Sequence, residues 1–229
     1  QYAFDNSISK EVIIEEYIEK IGNQVCGDGF MFGGELKFIY FGDGHFYSDR
    51  LAPWGETFPS THDQSKLDEA KKEIQRILVK HSYLNGPFNV DLFITTDGSF
   101  INEIGPRNGG NFIPQVTKLA TGVDMIEATV ESSYDVNFAF EPKLQKQDFF
   151  YSSYMIHSKD KEGLFKGINY SDDIGKKIIK ETLFIRIDDK VEKFMQGGNA
   201  IGNLILCFDA EDEMNDFYKD IHKHIDIKL

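Results

Sequence analysis

The sequence has little of what would tie a protein to the cell exterior or to a membrane. Its 229 residues include only two cysteines, Cys26 and Cys207. They are too few and too far apart for a disulfide framework or a zinc site, so a reducing compartment, the cytoplasm, is expected. No apolar run approaches the ~18–20 residues that span a bilayer, and residues 1–11 lack the charged start and apolar stretch of a signal peptide. Positive charge is also scarce: 25 Lys and Arg stand against 38 Asp and Glu, a net charge of −13. Such a field repels nucleic-acid backbones and anionic membranes, and neither is expected as a partner. A small anion held by a local basic group or a metal stays open.

What the chain does have is aromatic bulk, with 20 Phe and 10 Tyr, and enough length to bury ~70% of its unfolded surface. The β-branched residues 12–18 predict a strand. Residues 24–32 and 35–41 flank Gly33-Gly34, a two-residue hairpin signal. Residues 40–63 read as irregular, and the Gly-Asp-Gly triplets at 27–29 and 42–44 as local turns. A helix follows, capped by Thr61 or Ser65, with Leu67, Ala70, Ile74, Ile77 and Leu78 as its apolar stripe. Strands are predicted at 88–95 and 99–104 and helices at 114–119 and 125–133. Residues 137–148 read as a link. Beyond it lie strands at 149–156, 163–168, 182–187 and 203–208, and helices at 173–180 and 211–223.

The most informative stretch runs from Gly86 to Arg107. A three-residue loop, Thr96-Asp97-Gly98, sets Ile94 against Phe100 and Val90 against Ile104 on an apolar face, with Asn102 as a polar intruder there. On the other face Asp91 then lies opposite Glu103. Two carboxylates so placed destabilise a sheet unless something compensates. The candidates are a shared proton, a neighbouring cation, or a hard divalent cation such as Mg²⁺. Arg107 and the turn Asn108-Gly109-Gly110-Asn111 follow at once, where phosphate oxygens would be met by a guanidinium and free amides. The pattern also describes a solvated pair of strand-end acids beside an ordinary turn.

These residues resemble a known family. Glu103-Ile-Gly-Pro-Arg107-Asn-Gly-Gly110, with Asn89-Val-Asp91-Leu-Phe93 upstream, is similar to the C-terminal half of the ATP-grasp ligases. The closest branches in pattern are ATP-dependent phosphoribosylglycinamide formyltransferase, the ATPase subunit of aminoimidazole ribotide carboxylase, biotin carboxylase and the large chain of carbamoyl phosphate synthetase. The resemblance implies that Asp91 and Glu103 hold Mg²⁺, or Mn²⁺ in its place, against the phosphates of ATP, that Arg107 is catalytic, and that Asn108 beside it binds the nucleotide. Gly105 stands where many members have a further metal-binding Asn, which favours a two-acid site. Residues 12–18 resemble the family's adenine-binding hinge strand, assigning Glu15, Glu16, Tyr17 and Ile18 to the base and Asn23 to the ribose. Arg50 is a candidate for an anionic acceptor.

The implied fold is α+β: an antiparallel-rich ATP-grasp C-terminal lobe over 1–136, a linker at 137–148 and a small β-rich domain at 149–229. The implied activity is ATP-dependent ligation of a small-molecule carboxylate to an amine or other nucleophile through an acyl phosphate. Residues 1–11 cannot supply the family's N-terminal half with its Gly-rich lid and phosphate-contacting lysines. That half is therefore an expected partner, the chain alone is expected to be inactive, and a homodimer is left open. The rival readings are a nucleotide-binding subunit without chemistry and a structural domain that has lost its ligand.

Overall fold

The computed structural model describes residues 1–135 and 137–229. The domain boundary expected at residue 136 lies outside the described residues. Eight strands form one sheet: β1 (Gln24–Phe32), β2 (Glu35–Phe46), β3 (Pro53–Phe58), β4 (Gly86–Ile94), β5 (Ser99–Gly105), β6 (Phe150–Ile156), β9 (Ile178–Leu183) and β11 (Gly202–Phe208). Their order is β5-β4-β1-β2-β3-β6-β11-β9, and each neighbouring pair is antiparallel. Two short ladders lie beside it, β7 (Gly163–Leu164) with β10 (Lys190–Val191) and β8 (Gly167–Tyr170) with β12 (Ile225–Lys228). The helices are α1 (Tyr2–Asn6), α2 (Gln64–Lys80), α3 (Ile113–Thr121), α4 (Met125–Tyr134), α5 (Asp172–Gly175) and α6 (Glu211–Asp220). The architecture is α+β with an antiparallel sheet, as expected. None of the helices is long and apolar enough to cross a membrane, among the described residues.

Strand alternation decides what each face carries. Along β4, Phe88, Val90 and Leu92 point to one side, where they pack with Val25, Met31 and Phe41 against Leu67, Ala70, Ile74 and Leu78 of α2. The helix is capped by Asp63, whose Oδ1 accepts from the Ser65 N–H at 2.7 Å, and not by Thr61 or Ser65. On the other side lie Asn89, Asp91 and Phe93, together with Cys26, Asp28 and Phe30 of β1. Helices α3 and α4 cover part of this second face, Val116 beside Cys26 and Met125 beside Phe30. Residues 137–148 hold no regular element, and β6 beyond them joins the same sheet by pairing with β3.

The Gly33-Gly34 hairpin forms as expected, both glycines having positive φ (62° and 79°). Several other expectations give way to tertiary context. Residues 12–18 form no strand, and Ile13, Ile14 and Tyr17 are 86–91% exposed. A β-branched run gains little without a neighbour to pair with. The chain first meets the sheet at Ile21, whose N–H donates to the Ile94 carbonyl. The Gly-Asp-Gly triplets are strand interior, not turns. Gly29 and Gly42 are there for space: a Cβ on Gly29 would lie 2.4 Å from the Phe88 ring, and one on Gly42 2.5 Å from the Phe58 ring. The region 40–63 is accordingly ordered by the second half of β2 and by β3. In the C-terminal part, Ile178-Ile179 begin β9, so the helix expected at 173–180 stops at Gly175 and the strand lies earlier than 182–187.

Gly42→Ala should therefore destabilise the protein by ~1–3 kcal/mol through overpacking, whereas Gly175→Ala, with no neighbour in reach of its Cβ, should stay within ~0.5 kcal/mol of wild type. Urea denaturation of the two variants checks both values.

Candidate functional site

Strands β4 and β5 set the acid pair. Asp91 lies directly opposite Glu103, and Val90 opposite Ile104, in the expected register. The remainder differs: the ladder shifts between Asp91 and Leu92, so that Leu92 faces Ile101, Phe93 faces Phe100 and Ile94 faces Ser99. Asn102 is the extra residue of a β-bulge, and it is exposed. The bulge explains the polar intruder. In an unbroken strand Ile101 and Glu103 would share a face; the bulge turns Ile101 toward the α2 core and leaves Glu103 beside Asp91. It also moves Phe100 from the expected core to the site face, where it is 42% exposed.

Asp91 is half buried and Glu103 exposed. Burial raises the Asp91 pKa, the Gln24 side chain lowers it by hydrogen bonding, Glu103 raises it, and Arg107 lowers it. The Arg107 guanidinium donates to the Asn108 carbonyl at 2.9 Å and is close enough to be felt by both Asp28 and Asp91. Among the described residues no group of three or more His, Cys, Asp or Glu is arranged to hold a metal. Two carboxylates are a donor set suited to Mg²⁺, which keeps several waters and shares its shell with substrate phosphates.

Beside the pair opens a cavity of about 740 Å³, lined by Glu15, Glu16, Tyr17, Ile18, Gln24, Phe93 and Phe100 among others. The four residues assigned to a base from the sequence thus line one cavity with the rings of Phe93 and Phe100. Asn23 does not line the cavity; its carbonyl is bonded by His62 Nε2 at 2.8 Å. The Asn108 side chain turns away to donate to Thr129 Oγ1 of α4. Arg50 borders the cavity, but its guanidinium is consumed by the Phe194 carbonyl at 2.8 Å and by Asp160. It therefore has no fork to offer an acceptor.

Sequence reasoning missed two buried acids on this face. Asp28 is fully buried, and its Oδ1 accepts from Asn89 Nδ2 and from the Gly109 N–H. Glu56 is 2% exposed, and its Oε1 accepts from Asn111 Nδ2. Burial pushes Asp28 up to about 6 and Glu56 up to about 8. The signal for Asp28 was an acid between two glycines inside an apolar run, a pattern also typical of turns. For Glu56 there was no local signal, since only the neighbouring strands bury it.

No protein-family model matches the chain. A protein of Sinorhizobium fredii (strain NBRC 101917 / NGR234), described only as uncharacterized protein y4rH, is 30% identical over 125 residues, covering 52% of this chain and 24% of that protein. Phosphoribosylglycinamide synthetase from Anaerococcus prevotii superimposes with a TM-score of 0.78 at 23% identity, over 93% of this chain and 55% of the other. L-amino acid ligase from Bacillus licheniformis gives 0.78 at 15% identity, over 91% and 52%. The biotin carboxylase domain of 2-oxoglutarate carboxylase from Hydrogenobacter thermophilus, solved with MgADP, ADP and bicarbonate, gives 0.65 at 11% identity, over 90% and 46%. The chain spans about half the length of these structures and about a quarter of the Sinorhizobium protein.

The raised acids make a prediction about pH. Between about 4.5 and 8 the folded chain holds a proton on Glu56 that the unfolded chain has released, so stability falls as pH rises through that window. Glu56→Gln, which mimics the neutral acid, should lose less stability than wild type between pH 5 and pH 8.5 in metal-free urea titrations. At these levels of identity the likeness to solved structures establishes the fold, and that fold is the one the ATP-grasp ligases share.

Proposed function

We propose that this chain is the nucleotide- and metal-binding portion of an ATP-dependent ligase that joins a carboxylate to an amine or other nucleophile through an acyl phosphate. One observation carries the reading: Asp91 and Glu103 face each other across β4 and β5 on the open side of the sheet, with the Arg107 turn following directly. Like charges so placed need positive charge between them, and the turn beyond supplies donors for an anion.

In this reading Asp91 and Glu103 hold Mg²⁺, or Mn²⁺, which when bound neutralises phosphate charge and orients the transferred group. Arg107 stabilises charge that develops on the phosphoryl or acyl-phosphate oxygens. Phe93 and Phe100 offer flat apolar contact for a base, and the backbone of residues 15–18 offers donors and acceptors along the opposite wall. The Hydrogenobacter domain, of like fold and solved with both MgADP and bicarbonate, supports the pairing of magnesium nucleotide with a carboxylate-like substrate. Because the chain spans about half of the structures it matches, the catalytic unit is proposed to include a further half, supplied by the same or a second polypeptide.

Calorimetry with MgATP tests the binding claim. Asp91→Asn and Glu103→Gln should each weaken magnesium-dependent ATP binding by about tenfold or more, and Arg107→Ala by a similar factor, the scale of a lost interaction with a charged group. Equal binding with and without Mg²⁺, or unchanged binding in both acid variants, would refute the assignment. ADP release stimulated by carboxylate and amine should be absent from the chain alone and appear when the rest of the enzyme is added; release of ADP by the chain alone would refute the need for that half.

A further inference from the structure

Residues 109–112 are held to the sheet more heavily than a turn requires. The Gly109 N–H donates to Asp28 Oδ1 at 2.8 Å, and Asn89 Nδ2 donates to the same oxygen at 2.9 Å. A side chain at Gly109 would collide there, its Cβ 2.7 Å from Asp28 Oδ1. Asn111 Nδ2 donates to Glu56 Oε1 at 2.8 Å, while the Asn111 carbonyl accepts from Ser153 Oγ and from Asn203 Nδ2. Asn111 and Phe112 both have left-handed backbone, with φ of 51° and 61°, a conformation in which a bulky Phe stands only when its surroundings impose it.

The anchors are an unusual choice. Asp28 and Glu56 are almost fully buried, and the second oxygen of each, Asp28 Oδ2 and Glu56 Oε2, has no partner. Among the described residues neither carboxylate has a Lys, Arg or His in ion-pair contact. Burying an acid on these terms costs stability that an apolar side chain would not. What the two acids gain is the placement of one turn. They come from different strands, β1 and β3, and grip that turn at positions 109 and 111, just beyond the exposed Arg107. The near end of the same turn grows out of Glu103 on β5. The turn is therefore fixed on both sides of Arg107.

We propose that Asp28 and Glu56 are positioning residues for the anion-binding turn: by tethering Gly109 and Asn111 they hold Arg107 and its neighbouring amides in place beside the Asp91–Glu103 pair, without touching ligand themselves. The proposal rests on the nucleotide reading given above and adds to it two residues that no phosphate or metal would contact.

The test compares Asp28→Ala with Asp28→Asn in the full chain, because an Asn carbonyl oxygen still accepts from the Gly109 N–H. Three readouts separate positioning from mere folding: MgATP affinity by calorimetry, Mn²⁺ binding in the absence of nucleotide by water relaxation, and amide hydrogen exchange over residues 105–112. Asp28→Ala should weaken MgATP by about tenfold or more and expose the turn to exchange, while leaving Mn²⁺ binding within about twofold of wild type. Asp28→Asn should restore both. Asn111→Ala, which cuts the Glu56 tether from the turn's side, should shift the same readouts in the same direction, and it stands in if Asp28→Ala fails to fold. The proposal is overturned if Asp28→Ala or Asn111→Ala binds MgATP like wild type, or if MgATP and Mn²⁺ binding fall together. A wild-type chain that binds no MgATP would instead reject the nucleotide reading; the exchange data would then support the tether if the variants lose protection and overturn it if they do not.

Discussion

Two carboxylates opposed across an antiparallel pair are the constraint on which the site depends. At the register of β4 and β5 their Cβ atoms are ~4.5–5.5 Å apart, too close for both to be charged without compensation. The fold answers with proximity to Arg107 and with an open face on which a cation can sit. The bulge at Asn102 turns Ile101 into the α2 core while Glu103 stays beside Asp91, β1 and β3 supply the acids that grip the turn, and α2 closes the opposite face.

This face gathers three carboxyl groups at buried or half-buried positions, Asp28, Glu56 and Asp91. Asp28, Glu56 and Asp91 all have raised pKa values, burial being the first cause for each. The same acids push up the pKa of the buried Cys26 thiol, after burial itself, so that cysteine is a packing residue and not a nucleophile. A net charge of −13 would by itself repel an anionic ligand. In the proposed function a cation held by Asp91 and Glu103 would offset that repulsion and let a magnesium nucleotide bind.

Much of this was legible in the sequence, and the limits of legibility have physical causes. The Gly33-Gly34 hairpin and the opposition of Asp91 to Glu103 follow from local rules of turn geometry and strand alternation, and both stand in the structure. Beyond the bulge the register failed, because a single inserted residue reverses every later side chain. Asn102 on the supposed core face was the visible trace of that insertion. Residues 12–18 have the composition of a strand but no neighbour to pair with, and pairing is not a local property. Glycine misled in the opposite direction: at positions 27–29 and 42–44 it marks close packing of Phe88 and Phe58 rather than a turn. Glu56 could not have been found at all, since its burial is created by strands distant in sequence.

The central claim is that Asp91 and Glu103 are joined by a metal that also carries phosphate. The most direct measurement is anomalous diffraction from crystals grown with Mn²⁺ and a non-hydrolysable ATP analogue. One strong manganese peak is expected, coordinated by both carboxylates and by phosphate oxygens, with Arg107 on the same phosphate group. A manganese peak away from the pair, or nucleotide bound with no metal between Asp91 and Glu103, would contradict the claim.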